Sequence, residues 1–166
     1  MPDAPLTPAD LRRYIEEHAI RAELFRPQGD TSTVEAAARA IGCAPEQVIK
    51  SVLFLVKRGA GREPVLVLVA GTAKIAYPAL GHLFGVGRKK VRMATPDEVL
   101  AFTGYPVGGV PPFGHPTPLP TYADRSLLAQ EVLYAGGGDN RTMVKIARDE
   151  LLRVTGAQLV EIAEPR

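Results

Sequence analysis

The chain has 166 residues, 46% of them hydrophobic and 23% charged, with a formal net charge of only +2. That suits one domain with a sizeable core, expected to span residues 1–166 with 1–23 as an N-terminal helix and lead-in. One cysteine excludes an intrachain disulfide, the scattered His18, His82 and His115 lack zinc-site spacing, and no apolar run approaches the ~20 residues needed to cross a bilayer, so the expectation is a cytoplasmic protein without metal or other cofactor.

Thr7-Pro8-Ala9-Asp10 reads as an N-cap, an N1 proline and a first-turn acid, and with Leu11, Tyr14 and Ile15 at helical spacing it predicts a helix over about 8–18. Ile20, Ala22 and Leu24 alternate as a short strand does, and Pro27-Gln28-Gly29-Asp30 breaks the chain. Ser32 or Thr33 caps a second helix from Val34 to Ile41, closed by Gly42. Cys43 follows as a small half-buried filler, with no histidine nearby in sequence to activate it. Two apolar runs, Val52 to Val56 and Val65 to Ala70, flank Arg58-Gly59-Ala60-Gly61-Arg62 and predict a central hairpin. Pro78 opens a helix that Gly85 ends, Val91–Met93 is a brief strand, and Thr95-Pro96-Asp97-Glu98 starts a helix reaching Phe102, which Gly104 stops. Further strands are predicted at Thr121–Ala123, Val132–Ala135, Met143–Ile146 and Leu159–Ile162, with a helix over about Arg148–Val154. Strands and helices are interspersed without strict alternation. The expected class is therefore α/β with a mixed, largely antiparallel sheet, and no linker divides the chain.

Several glycine clusters invite a nucleotide-binding reading, and none fits it. Gly59-Ala60-Gly61 lacks the third glycine, and Gly136-Gly137-Gly138-Asp139-Asn140 leads toward a strand instead of a helix. The latter still leaves main-chain N–H groups uncovered, as a ligand-contacting turn requires. Gly85-Val86-Gly87-Arg88-Lys89-Lys90 lacks the Ser or Thr that a P-loop places on magnesium, which leaves Arg88, Lys89 and Lys90 as a solvated basic turn or a phosphate-contacting patch. Lys50 precedes the most hydrophobic strand, where an ammonium group could hold a phosphate or polarise a carbonyl; a plain surface lysine is the alternative.

The densest glycine and proline region is Thr103-Gly-Tyr-Pro-Val-Gly-Gly-Val-Pro-Pro-Phe-Gly-His-Pro-Thr-Pro-Leu-Pro120. It lies inside one domain, and Val107, Val110, Phe113 and Leu119 can pin it to a core. It therefore reads as a rigid loop, with Gly108-Gly109 at its middle offering backbone amides to a ligand oxygen.

Lys50 before an apolar strand, this T-G-x-x-V-G-G-x-x-P-x-G stretch and the Gly136–Gly138 turn together resemble the YbaK/ProX family of free-standing aminoacyl-tRNA editing proteins, related to the editing domain inserted in bacterial prolyl-tRNA synthetases. The likeness runs from about Leu24 to Ile162. It implies a sheet curled toward a barrel and hydrolysis of a wrongly attached small amino acid from mischarged tRNA, most often tRNA for proline, with prolyl-tRNA synthetase as a possible partner. It implies Lys50, Gly108 and Gly109 as catalytic, and Val107, Pro111, Phe113, His115, Gly137, Gly138 and Asn140 as substrate-binding, with no catalytic role for His115. Aligning the glycine turns places Met143 where the cysteine-specific members carry an acid, a departure from their pattern. The chain offers no Ser/His/Asp set and no paired carboxylates, so the expected chemistry is backbone stabilisation of an oxyanion with assistance from the substrate's ribose. A non-catalytic module that binds aminoacyl-RNA or a small ligand through the same loop is the alternative.

Overall fold

The structure is a computed structural model and describes residues 4–164. Helix α1 (Pro8–Glu17) leads through β1 (Ala22–Phe25) to α2 (Val34–Ile41), whose start is capped by the Thr33 hydroxyl accepting from Ala36 N–H at 3.0 Å. A short 3-10 turn (Pro45–Gln47) feeds the long hairpin β2 (Ile49–Arg58) and β3 (Gly61–Ala70). Then follow α3 (Tyr77–Phe84), a 3-10 turn at Arg88–Lys90, β4 (Val91–Met93), α4 (Pro96–Thr103), β5 (Thr121–Asp124), β6 (Val132–Gly136), β7 (Met143–Ala147), α5 (Arg148–Thr155) and β8 (Gln158–Val160). Glycines in the left-handed conformation end α2, α3, α4 and α5, at Gly42, Gly85, Gly104 and Gly156, where a side chain would strain the backbone. The expected segments correspond to these elements to within a few residues. The hairpin is longer than its apolar run because Lys57, Arg58, Arg62 and Glu63 continue the ladder in solvent.

The class is mixed α/β, as expected, but the sheet is divided. A five-stranded sheet has the order β4-β2-β3-β5-β8 and a three-stranded one the order β1-β7-β6. Only β3–β5 and β5–β8 run parallel; every other ladder is antiparallel. The arrangement is open and not a barrel. The two sheets meet where Val48, just ahead of β2, bridges Tyr134 of β6 in parallel. That junction is a single bridge: β6 runs on through Ala135 to Gly136 without pairing further with β2.

Alternation along the hairpin sorts the core. Leu53, Leu66, Leu68 and Ala70 join Leu11, Tyr105, Phe113, Leu133, Val144 and Leu151 in the main cluster between the two sheets. Phe54, Val56, Val65 and Val67 point the other way, onto Leu80 and Phe84 of α3 and onto Ile162. Central strands covered on both faces need apolar residues at consecutive positions, which is why these runs do not alternate in the sequence. Each fully buried Leu or Phe contributes about 1.5–3 kcal/mol over its exposed state, so the hairpin is the rigid floor on which Lys50 stands.

Candidate editing site

Lys50 is the second residue of β2, and its side chain is exposed although its neighbour Ile49 is buried. Strand alternation puts it on the face of Val48 and Val52. Among the described residues no carboxylate or hydrogen-bond acceptor pairs with its ammonium group. Val48 and Tyr134 form a single parallel bridge, and two residues beyond it the chains reach Lys50 on β2 and Gly136 at the end of β6. Gly136 has no side chain, and what covers it is the loop after α4: a Cβ built on Gly136 would stand 2.6 Å from the Val110 carbonyl oxygen. Lys50 and the glycine loop thus each come up to the junction of the sheets, Lys50 two residues after Val48 and the loop over Gly136. On the other side of Lys50, β4 takes up the edge of β2 only from Leu53 onward, through Ala94 N–H donating to the Leu53 carbonyl at 2.9 Å. The edge beside Lys50 is therefore a break between β6 and β4.

The loop is rigid without regular structure. Thr103, fully buried, donates to the Val99 carbonyl at 2.7 Å and accepts from Tyr105 N–H at 3.1 Å, which locks the exit from α4. Tyr105 is buried, and that burial, followed by the charge of Asp10, pushes its hydroxyl up to about 12. Phe113 is buried and stacks on Tyr14, with ring centroids 6.1 Å apart. The His115 ring nitrogen Nε2 lies 2.8 Å from the Pro111 carbonyl and donates to it, while burial holds the imidazole below its ordinary pKa and neutral. Phe113, His115 and buried Pro111 therefore anchor the loop from within. Val107 stands exposed at the tip.

The two central glycines differ. Gly109 N–H donates to the Pro106 carbonyl at 3.0 Å, closing a turn in which Gly108 takes φ +91°, as the third residue of a type II turn requires. The Gly109 amide is thus occupied, which removes it from the expected pair of oxyanion donors. Among the described residues no acceptor takes the Gly108 N–H. Gly109 is glycine for want of room: a Cβ there would lie 2.6 Å from the Asp139 backbone. Gly137 and Gly138 are likewise packed on main chain and hydrogen-bonded, to the Thr142 carbonyl at 2.8 Å and to the Gly109 carbonyl at 2.8 Å. Their amides serve the fold. At Gly108 a Cβ would meet only the Cβ of Asn140, at 4.0 Å, so this is the open position, with Asn140 beside it.

Arg88, Lys89 and Lys90 are exposed, with the Arg88 guanidinium 5.4 Å above the Tyr77 ring. They precede Val91, which pairs with Val56, six residues along β2 from Lys50. At about 3.3–3.4 Å per residue the basic turn lies roughly 20 Å from Lys50. The structure brings together Gly108, Asn140 and the Gly136–Gly138 turn, with Lys50 at the adjoining sheet junction; the basic turn stands apart. Cys43 is half-buried, and burial raises its thiol pKa, the state of an inert filler.

A model of the aminoacyl-tRNA editing domain matches residues 28–154. The chain belongs to the aminoacyl-tRNA editing domain family. "Uncharacterized protein YwhH" of Bacillus subtilis (strain 168) is 36% identical over 121 residues, 73% of each chain. "Putative Cys-tRNA(Pro)/Cys-tRNA(Cys) deacylase EbsC" of Enterococcus faecalis is 26% identical over 152 residues, 90% of each. A proline–tRNA ligase of Thermotoga neapolitana is 30% identical over 117 residues, which make up 70% of this chain but 19% of the ligase. A crystal structure of a "putative trans-editing enzyme for prolyl tRNA synthetase" superposes with a TM-score of 0.86 at 33% identity, covering 95% of this chain and 97% of that one. The editing-domain fold and the relation to the prolyl-tRNA synthetase insert expected from the motifs therefore hold.

Sequence reading missed what steadies this editing domain's glycine turn. Asp139 accepts from Arg141 N–H at 2.9 Å and Thr142 N–H at 2.8 Å through one oxygen, and its other oxygen meets Arg26 at 3.2 Å. Burial works to raise the Asp139 pKa, but these hydrogen bonds outweigh it and leave the group below its ordinary value. The Thr31 hydroxyl adds a bond to the Asn140 carbonyl at 3.0 Å. An aspartate followed two residues later by a turn-closing amide is a local signal; its partner Arg26 lies 113 positions away, and no spacing rule finds it. No helix among the described residues is long and apolar enough to cross a membrane, and none of their acids, histidines and cysteine gather into a metal-binding group.

Proposed function

We propose that this protein is a cytoplasmic trans-editing hydrolase that removes a wrongly attached small amino acid from mischarged tRNA, with tRNA for proline as the first candidate and prolyl-tRNA synthetase as a candidate partner. The observation that carries the reading is an ammonium, Lys50, with no partner among the described residues, at the sheet junction approached by a rigid loop whose Gly108 N–H has no acceptor among them. An aminoacyl ester is already activated, so catalysis needs little beyond placement and stabilisation of the oxyanion formed when water, helped by a ribose hydroxyl, attacks the carbonyl. Gly108 N–H supplies the donor in this reading, and Lys50 holds the terminal adenosine's phosphate or the substrate carbonyl. Val107 and Asn140 flank the bound aminoacyl group, and the Gly137–Gly138 backbone forms the wall behind it. Met143, buried beside Val48 and packed with Phe25 and Tyr134, gives the neighbouring surface an apolar lining that suits a small side chain better than a charged one. Selectivity by size is modest, since one methylene separates substrates by about 1–3 kcal/mol.

Arg88, Lys89 and Lys90, roughly 20 Å away along β2, suit phosphates upstream of the reacting ester. Binding through them weakens as salt rises and orients the acceptor end without reading its bases.

The test is deacylation of a panel of mischarged tRNAs carrying alanine, serine, cysteine or threonine. At least one is expected to be cleared well above its spontaneous rate, with Lys50→Ala lowering that rate on the order of a hundredfold. Tight binding without hydrolysis would instead select the non-catalytic module. Full activity in Lys50→Ala would remove that residue from the mechanism.

A further inference from the structure

The segment Leu6–Tyr14 lies ahead of the residues matched by the editing-domain model, and none of its side chains is a candidate for chemistry. Yet it touches both ends of the loop after α4 and the glycine turn beside it. Leu6 N–H donates to the Gly104 carbonyl at 2.8 Å, and a Cβ on Gly104 would stand 2.6 Å from Leu6 Cδ1. At the far end of the loop, a Cβ on Gly114 would stand 3.1 Å from Leu11 Cδ1 and 3.4 Å from the Tyr14 ring, which also stacks on Phe113. Between these ends the segment reaches the other glycine turn: a Cβ on Gly138 would stand 2.8 Å from Pro8 N and 3.1 Å from the Thr7 carbonyl carbon. Gly138 in turn donates to the Gly109 carbonyl, the residue next to Gly108. Three glycines in two separate loops are thus filled from outside by one stretch of chain.

The stretch is itself stiff. Pro8 sits at N1 of α1, and Asp10 accepts from Thr7 N–H at 2.8 Å and from the Thr7 hydroxyl at 3.1 Å, so the entry to the helix is closed on itself. Leu11 is completely buried in the main cluster with Tyr105 and Phe113, which ties the helix to the same core that anchors the loop. Between Pro106 and Pro120 the loop has no strand or helix of its own to fix its height above the sheet.

We propose that Leu6–Tyr14 is a positioning element of the editing site, a clamp that holds the Gly104–Gly114 loop at both ends and the Gly138 turn beside it, and so sets where the Gly108 amide stands relative to Lys50. Tyr14 is its most testable member, because its ring packs on the loop while its hydroxyl makes no hydrogen bond among the described residues. The proposal rests on the editing function stated above, and its test has one arm that does not.

That arm is hydrogen exchange. In Tyr14→Ala the hydrogen-bonded amides of the loop and its turn, Gly109 on the Pro106 carbonyl and Gly138 on the Gly109 carbonyl, are expected to exchange faster, while those of β2 and β3 keep their protection; Tyr14→Phe, which preserves the stack, and Arg12→Ala, on the exposed side of α1, are expected to match the parent protein. In the kinetic arm, Tyr14→Ala should lower kcat on the order of tenfold or more, since displacement of about 1 Å at a reacting group can cost a hundredfold. KM for aminoacyl-tRNA should stay within about threefold because the displaced amide acts on the oxyanion and not on the bound ground state. Equal loss of protection in β2 and β3 would reduce α1 to ordinary core packing and overturn the proposal. So would faster exchange in the loop with kcat unchanged, or loss of kcat with loop exchange unchanged. If the parent protein deacylates nothing in the panel, the editing reading fails, while the exchange arm still decides whether the clamp holds the loop.

Discussion

Gly108 and Gly109 are adjacent in the chain and are glycine for opposite reasons. At Gly109 the conformation is one any residue adopts, but the space is taken, with the Asp139 backbone 2.6 Å from a Cβ. At Gly108 the space is open to 4.0 Å, but φ is +91°. The pair separates two demands that a glycine motif in a sequence merges, close approach of two backbones and a reversed backbone direction. It also assigns them differently, Gly109 to assembly of the scaffold and Gly108 to what the scaffold presents.

The largest effect is expected where the two backbones meet. Gly109→Ala forces the Gly108 loop off the Asp139 turn, and overpacking of a well-filled site costs about 1–3 kcal/mol, which for a domain of this size lowers Tm by roughly 3–9 °C. Gly137→Ala, with the Thr142 backbone 2.7 Å from its Cβ, should behave alike. A Gly109→Ala protein with unchanged Tm by calorimetry would break the comparison at its first term.

Gly108→Ala should do the reverse. Its cost in stability is that of a strained φ, about 1 kcal/mol, while the turn that aims its N–H is disturbed, so deacylation should fall on the order of a hundredfold with Tm lowered by only a few degrees. Gly108→Asn, whose side chain tolerates left-handed backbone better, should lose less. Activity assays beside calorimetry distinguish the two outcomes; a Gly108→Ala protein that is badly unfolded would return both glycines to one structural class.

Much of this was legible beforehand, and the reasons differ by feature. Helix limits followed from local chemistry: Thr33, Thr95 and the glycines at 42, 85, 104 and 156 act within a few residues of themselves. Lys50 and the Gly108 loop were found as a motif, and the structure added that Lys50 follows the Val48–Tyr134 bridge and that the loop covers Gly136. The division of the sheet was not legible, because it depends on β6 meeting β2 at one bridge only, a relation between segments some 85 residues apart. Nor was the fate of each amide. Whether Gly109 N–H is free depends on the Pro106 carbonyl and the turn around Gly108, which residue types permit without requiring.

Acid should act on one side of the comparison only. Asp139, which holds the Gly137–Gly138 turn, has its folded-state pKa below the ordinary 3.8. A depressed carboxylate contributes stability that is complete above its unfolded value and is lost as pH falls through the folded one. Below pH 3.8 the turn should therefore loosen, seen as faster exchange at residues 137–142. Asp139→Asn keeps an acceptor oxygen for the Arg141 and Thr142 amides but cannot titrate, so its turn should be weaker at neutral pH and insensitive to acid. Equal acid sensitivity in both proteins would place the response elsewhere, with Glu150 as the natural candidate: the Arg153 guanidinium, with the Arg21 main-chain N–H next, holds it at about 2.

The smallest effect is expected at Gly61, and it tests whether crowding and backbone direction are sufficient criteria. Gly61 opens β3 beside the hairpin tip, where nothing stands within 4 Å of a Cβ and φ is not positive. Its neighbour in the turn, Gly59, carries the left-handed φ of +61° that the two-residue connection needs. With neither demand present, Gly61→Ala should change stability by no more than about 0.5 kcal/mol, and in the stabilising direction if at all, because alanine narrows the unfolded ensemble more than glycine does. Gly59→Ala, two residues away and equally uncrowded, should destabilise through φ alone. A measured cost at Gly61 equal to that at Gly59 would mean that hairpin glycines obey a rule other than the one separating Gly108 from Gly109.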